Sequence, residues 1–345
     1  MITLKELAQK SNVSIATVSN ILNGKTNVSI ETRDRVLKIV KETGYKPNYM
    51  ARGLRASSTK TIGLLIDDIT EFSSPQIVNG IMSILEGKGY RTILENLRFY
   101  SKWGHGWEKT SDYKKSIESA LEEFISIKTD GIIYISGHAR NISVIPSSIK
   151  IPVVVCYAFT NRPDTPFIMI DDENAAYTIT SHLLNNKCKK IGVITGALDN
   201  IHSQKRIEGY KKALKEHNIE YDESIVKNGD WSLESGYENC KKLLEERPDI
   251  CSIFCFNDMM AVGAYNYLNE KGIIPGKDIS IAGFDNREIT AFLNPPLTTM
   301  EIPLTEVGER AANIILDMIN QKTITNKEVY IPCKLIDRKS VIKDK

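Results

Sequence analysis

No stretch of the chain strings together the roughly 18 apolar residues that a membrane-crossing helix needs, so nothing in it is expected to enter a bilayer. The amino terminus, MITLKELAQKS, is charged and amphipathic and lacks an apolar leader, and the expected location is the cytoplasm. Cysteine is sparse: Cys156, Cys188, Cys240, Cys251, Cys255 and Cys333, with no CxxC pair. Cys251 and Cys255 sit in the apolar run SIFCF and read as small buried hydrophobes. Neither a disulfide framework nor a metal site is expected. The histidines, His105, His138, His182, His202 and His217, show no ligand spacing. Also missing are GxGxxG after a strand, GxxxxGK[ST], GxSxG and HExxH. These gaps argue against an enzyme on a doubly wound fold, and no cofactor is expected.

What is present divides unevenly. The 345 residues are 41% hydrophobic, enough for a sizeable core and more than one compact domain usually holds. Residues 1–60 carry eleven Lys/Arg against four Asp/Glu, although the whole chain is only +2. A basic head on a mildly acidic body points to a polyanion partner for the head.

Within that head, Thr3-Leu4-Lys5-Glu6 is a capping box that opens a helix with Leu4, Leu7 and Ala8 on one stripe. Ser14 caps a second helix, Ile15 to Leu22, with Val18, Ile21 and Leu22 inward, and Asn23-Gly24 ends it. Ser29 caps a third, Glu31 to Thr43, with Val36, Ile39 and Val40 inward. This is a helix-turn-helix pattern, whose second helix enters the major groove. Ile15 and Ala16 suit a thymine methyl, Asn20 an adenine edge, and Ser14, Thr17, Ser19 and Asn23 phosphate oxygens. Pro47 then starts a short helix that is too weak to stand alone. Its exposed Leu54 between Arg52 and Arg55 fits either a minor-groove wedge with phosphate clamps or a linker residue.

From residue 61 on, apolar strands alternate with amphipathic helices. That predicts an α/β body of two doubly wound parallel-sheet lobes behind the all-α head. The expected domains are 1–46 (helix-turn-helix), 47–60 (hinge and linker) and 61–340. The last divides into a first lobe of about 61–160 with 290–320 and a second of about 161–289 with 321–340, by the fold rules for such sheets. Ligands sit beyond the carboxyl ends of strands, which nominates Asp67, Asp68, Phe72, Ser73, His138, Tyr157, Asp199 to Ser203, Trp231, Asn257, Asp258 and Asp285. Carboxylates, amides and flat rings suit a hydroxyl-rich ligand. Asn257 and Asp258 fit equally well as caps of the next helix, Trp231 as core and Arg206 as a surface ion pair. Arg98 to Asp112 (RFYSKWGHGWEKTSD) reads as a long aromatic loop. It forms either a lid that admits a larger ligand such as a disaccharide, or packing on a lobe or dimer face.

The head, LKELAQKSNVSIATVSNILNGKTNVSIETRDRVLKIVKETGYKPNYMARGLR, resembles that of the lactose/purine repressor (LacI-type) family, and the likeness continues through FNDMMAVGA, ISIAGFDN, NPPLTTME, RIEGYKKAL and LIDRKS. The resemblance implies a periplasmic-binding-protein-like body and a homodimer on a near-palindromic operator in double-stranded DNA. It also implies Leu54 as the wedge and a transcription regulator, a repressor, governed by a small-molecule effector. With Thr3, Tyr45, Asn48 and Ala51, the residues above complete the candidate DNA contacts. GDWSLESGY is similar to the sugar-sensing members, so a sugar is the expected effector, with a purine-like corepressor as the alternative. Carried over by position, Arg206, Trp231, Asn257 and Asp285 contact the ligand, and Asp285 pairs with Arg206. Phe72, Ser73, His138, Tyr157 and His202 complete that candidate set. His202 and Tyr157 depart from the family's usual Ser/Thr and Asp. The chain ends in SVIKDK without a leucine heptad, so a dimer and no tail-built tetramer is expected.

Overall fold

The computed structural model describes residues 2–343 except 23, 25–27, 46–57, 105–106, 108–111, 147 and 187–188. It separates into two compact units, Met1–Lys60 and Thr61–Lys345.

The first unit holds α1 (Leu4–Ser11), α2 (Ile15–Leu22) and α3 (Ile30–Thr43). Each helix begins where the local chemistry directs. The Thr3 hydroxyl accepts from the Glu6 amide at 3.2 Å while Glu6 accepts from the Thr3 amide at 2.7 Å. Ser14 Oγ accepts from the Thr17 amide and Ser29 Oγ from the Thr32 amide. Asn12 and Gly44 take the left-handed conformation that ends α1 and α3. The core is small: Leu7, Ala8, Val18, Ile21 and Val36 are buried, with Leu4, Leu22, Ile39, Val40 and Tyr45 packed around them.

The second unit contains two six-stranded sheets. The first comprises β1 (Thr61–Ile66), β2 (Arg91–Asn96), β3 (Gly131–Ile135), β4 (Val153–Cys156), β5 (Phe167–Ile170) and β11 (Glu328–Ile331). It is wholly parallel, in the order β11-β5-β4-β3-β1-β2. The second comprises β6 (Ile191–Thr195), β7 (Val226–Asn228), β8 (Ser252–Cys255), β9 (Ser280–Asp285), β10 (Thr298–Glu301) and β12 (Lys334–Ile336). Its order is β12-β10-β9-β8-β6-β7, and only β12 runs antiparallel. Strands β3, β4, β5, β6 and β8 are buried at every position, as sheets covered by helices on both faces require. On the first sheet, α4 (Ser74–Gly87) packs against α11 (Leu304–Ile319), while α5 (Phe99–Trp103) and α6 (Asp112–Ser126) contribute to the opposite face. On the second, α7 (Asp172–Leu184) pairs with α8 (Ile201–Glu216), and α9 (Leu233–Glu246) with α10 (Asp258–Glu270).

The chain crosses between the sheets three times, after β5, β10 and β11, which corrects the expected lobe boundaries. Phe167–Ile170 and Glu328–Ile331, assigned to the second lobe, pair with each other in the first sheet. Thr298–Glu301, assigned to the first, pairs with β9 in the second. An apolar strand carries no mark of its sheet; pairing register decides it. The segment read as a loop after β2 contains a short helix, α5, and β7 is a further strand not expected from the sequence. Cys251 is disulfide-bonded, contrary to expectation, whereas Cys156, Cys240, Cys255 and Cys333 are free thiols. Among the described residues, no helix is long and apolar enough to cross a membrane.

Candidate functional site

In the first unit, the amphipathic pattern of α2 turns Val18 and Ile21 into the core and leaves the opposite face open. Ser14, Ile15 and Ala16 are exposed, and Thr17, Ser19 and Asn20 half-buried. The Ser14 and Thr17 hydroxyls share a 2.9 Å hydrogen bond at the helix start. Thr3 is already committed to its cap, donating to Glu6 Oε2 at 2.9 Å, and Tyr45 packs against the core. Asn23, Asn48, Ala51, Arg52, Leu54 and Arg55 lie outside the described residues.

In the second unit, a cleft of about 680 Å³ opens where the strands of both sheets end, as doubly wound sheets favour. The first lobe contributes Asp67 and Asp68 after β1, Glu71, Tyr100, Trp107 and the run Gly137 to Asn141 after β3. The second contributes Ala197, Asp199, Asn200 and Ile201 beyond β6 and Asp230, Trp231 and Ser232 beyond β7. Trp231 lies so close over Gly196 that a methyl group there would overlap its indole. Asp67 is fixed by Arg140 at 2.8 Å, by the Ser136 hydroxyl at 2.7 Å and by the Tyr134 phenol. The Arg140 guanidinium also stands 4.4 Å from the Trp107 ring.

Of the residues nominated at strand ends, Asp67, Asp68, His138, Asp199, Asn200, Ile201 and Trp231 line this cleft; of the nine-residue ligand set that the resemblance completes, His138 and Trp231 do. His138 is exposed, 3.4 Å from Glu71. Ser73 is buried and donates to the Gly137 carbonyl at 3.2 Å. Phe72 carries the Arg287 guanidinium at 4.1 Å. The others form a closed polar seam beneath the cleft. Arg206 donates through Nε to Asp172 Oδ1 at 2.8 Å and through Nη1 to the Phe256 carbonyl, and its guanidinium stacks 3.5 Å from the Phe284 ring. The expected Arg206–Asp285 pair is therefore replaced: Asp172, at the start of α7, takes the guanidinium, and Asp285 faces Arg287 at 3.4 Å. Asn257 is both cap and contact, its Oδ1 accepting from the Met260 amide and its Nδ2 donating to the Trp231 carbonyl at 2.9 Å. Buried Asp258 accepts from the Thr299 hydroxyl and the Arg287 amide, which anchors the turn after β9.

His202 bridges the lobes. Its Nδ1 lies 2.7 Å from Asp172 Oδ2, and its Nε2 accepts from the Ala139 amide at 3.2 Å. The Tyr157 ring packs 4.9 Å away. An imidazole that accepts at Nε2 is neutral, with its proton on Nδ1. Burial pushes its pKa below the ordinary histidine value of 6.5. Burial opposes charge on Asp172, but the neighbouring His202 and Arg206 hold its carboxyl below the usual range. Asp258 and Asp285 are both pushed up, chiefly by burial.

The consequence is a pH dependence. The unfolded chain takes up the histidine proton near the ordinary value of 6.5, and the fold resists it. The stability contributed by neutral His202 is complete above that pH and is lost as the pH falls towards the depressed value in the fold. The slope is at most about 1.4 kcal/mol per pH unit. Melting curves between pH 7.5 and 5 should show His202→Gln losing less stability than the parent, because glutamine can still accept from Ala139. Parallel losses would remove His202 as the cause.

Sequence reasoning missed Asp172 and Arg140. Asp172 was legible as a carboxylate at the carboxyl end of the strand FIMI, but its partner was not. Arg140 carried no local signal.

Residues 3–48 match the family "Bacterial regulatory proteins, lacI family", and residues 180–341 match the "Periplasmic binding protein-like domain". The chain is 31% identical to the Catabolite control protein A of Priestia megaterium, across 98% of this chain and 99% of that protein. It is 30% identical to the HTH-type transcriptional repressor PurR of Aliivibrio salmonicida (strain LFI1238), across 99% and 100%. Among solved structures, a lac repressor dimer bound to operator and the anti-inducer ONPF matches with a TM-score of 0.82 over 99% of each chain, at 24% identity.

Proposed function

The chain belongs to the LacI family of bacterial regulatory proteins, and from that premise we propose that it is a cytoplasmic repressor whose hold on a near-palindromic operator is set by a carbohydrate bound between the lobes of its body. As a member of that family it is a dimeric, DNA-binding transcription regulator and not an enzyme. In this reading α2 enters the major groove. Ile15, Ala16 and Asn20 meet base edges, Ser14, Thr17 and Ser19 meet phosphates, and Arg52, Leu54 and Arg55 act at the minor groove with Asn48 and Ala51. The observation that carries it is the division of α2 into a buried Val18–Ile21 face and an outer face of small polar and methyl-bearing side chains.

Carbohydrate is favoured by the cleft's chemistry: two indoles, a row of carboxylates and amides, and one guanidinium already bonded to Asp67. A purine-like corepressor is the second reading, supported by the flat Trp231 ring and by a PurR relative. Either ligand acts by favouring one of two lobe arrangements. The His202–Ala139 and Phe72–Arg287 contacts bridge the lobes and would differ between those arrangements.

The test is anisotropy with palindromic and random duplexes. Specific affinity is expected to fall by about 10³-fold or more between 50 and 200 mM salt, as six or more phosphate contacts require. It should change again when the right sugar is added. A protein that prefers no palindrome at any salt concentration, with sugars or nucleobases present, would refute the reading.

A further inference from the structure

We propose that the mouth of the cleft is a second-ring subsite: the ligand is an uncharged saccharide of at least two rings, with its outer ring held against Tyr100 and Trp107. This rests on the carbohydrate reading and makes it specific. The first argument is space. The inner residues that a single ring would engage are occupied with one another. Arg206 is held by Asp172, Phe256 and Phe284, and His202 by Asp172 and Ala139. None of Tyr157, His202, Arg206, Asn257 or Asp285 lines the open volume, whose 680 Å³ lies further out. That is well within the range of pockets that hold ligands larger than a monosaccharide.

The second argument is the wall. The described aromatic residues that follow β2 pack against one another. Phe99 is fully buried, stacks on Trp103 at 5.5 Å and meets Trp107 at 4.5 Å, and Tyr113 closes edge-on against both Phe99 and Trp107. The Arg140 guanidinium stands against the Trp107 ring at 4.4 Å while remaining paired with Asp67. Trp107, held by these contacts, lines the cleft from the first lobe beside Tyr100, and Trp231 lines it from the second. Rigid aromatic surface on both walls suits the apolar faces of successive pyranose rings.

The third argument is charge. Five carboxylates line the cleft, Asp67, Asp68, Glu71, Asp199 and Asp230, and among the described lining residues Arg140 is the single Lys or Arg. Arg140 is already matched by Asp67. A phosphate or carboxylate on the ligand would enter a field of its own sign with no uncommitted guanidinium to receive it. Hydroxyl groups would find acceptors in Asp199 and Asp230.

Calorimetry on the purified full-length protein tests this. The probes are cellobiose, maltose, lactose and trehalose against glucose, galactose and glucose 6-phosphate, with adenine and guanine as further arms. At least one neutral disaccharide is expected to bind tenfold or more tightly than its constituent monosaccharides and than the sugar phosphate. Tyr100→Ala and Trp107→Ala should each cost that disaccharide about tenfold while changing monosaccharide affinity less than twofold. Trp107 is largely buried, so Trp107→Ala could lower the melting temperature; Tyr100→Ala, on an exposed side chain, then decides. Equal affinity for one ring and two, a preference for the phosphate, or equal losses for both ring counts would overturn the subsite and leave the carbohydrate reading standing. Binding of a nucleobase with no sugar bound would overturn both.

Discussion

Replacing Leu7 with alanine is expected to abolish specific operator binding while the body stays folded and still binds its ligand. Leu7 is fully buried in a core that, among the described residues, has five buried apolar side chains. Removing it costs about 2–5 kcal/mol in transfer and cavity terms. A unit this small holds only about 3–5 kcal/mol in total, so most molecules would lose the first unit's fold. Operator affinity should drop by about 100-fold or more in anisotropy, since α2 is presented only by packing Val18 and Ile21 on that core. The body's core shares no residue with it and should melt as in the parent. Leu7→Met, which conserves volume, should restore most of the binding. Unchanged operator affinity in Leu7→Ala would show that the small core is not what holds the reading helix.

The second large effect is expected at Arg206. Arg206→Ala leaves Asp172 buried without its guanidinium partner, and breaking a buried pair from one side costs about 3–5 kcal/mol. It also opens the space over the Phe284 ring and frees the Phe256 carbonyl. Urea unfolding of the body should shift by that amount, and the ligand response should vanish. The double variant Arg206→Ala with Asp172→Ala should recover part of the stability, because no unpaired charge then remains, but none of the response. If the double variant is no more stable than the single one, the ion pair is not the source of the loss.

These two positions differ in how far the sequence discloses them. Leu7 was legible because a helix writes its inner face into its own residues: a capping box at Thr3, then Leu4, Leu7 and Ala8 at helical spacing. Arg206 was recognised as a ligand candidate, yet its partner was misassigned to Asp285. Asp172 lies 34 residues away in the chain and reaches Arg206 only because α7 and α8 pack side by side. The aromatic segment gives a third case. Its composition left a lid and packing on a surface both open; that Phe99, Trp107 and Tyr113 meet one another, with the Arg140 guanidinium against Trp107, is set by residues brought together in the fold.

Local order was therefore written in the chain alone: the three capped helices, the alternation of strands with helices, and the placement of polar residues at strand ends. Each depends on neighbours within a turn or two. Tertiary structure alone decided which sheet receives β5, β10 and β11, which carboxylate holds Arg206, and where between the lobes a cleft opens. Those outcomes rest on pairing register and on charges brought together from distant segments, and a residue carries no record of the partner it will meet.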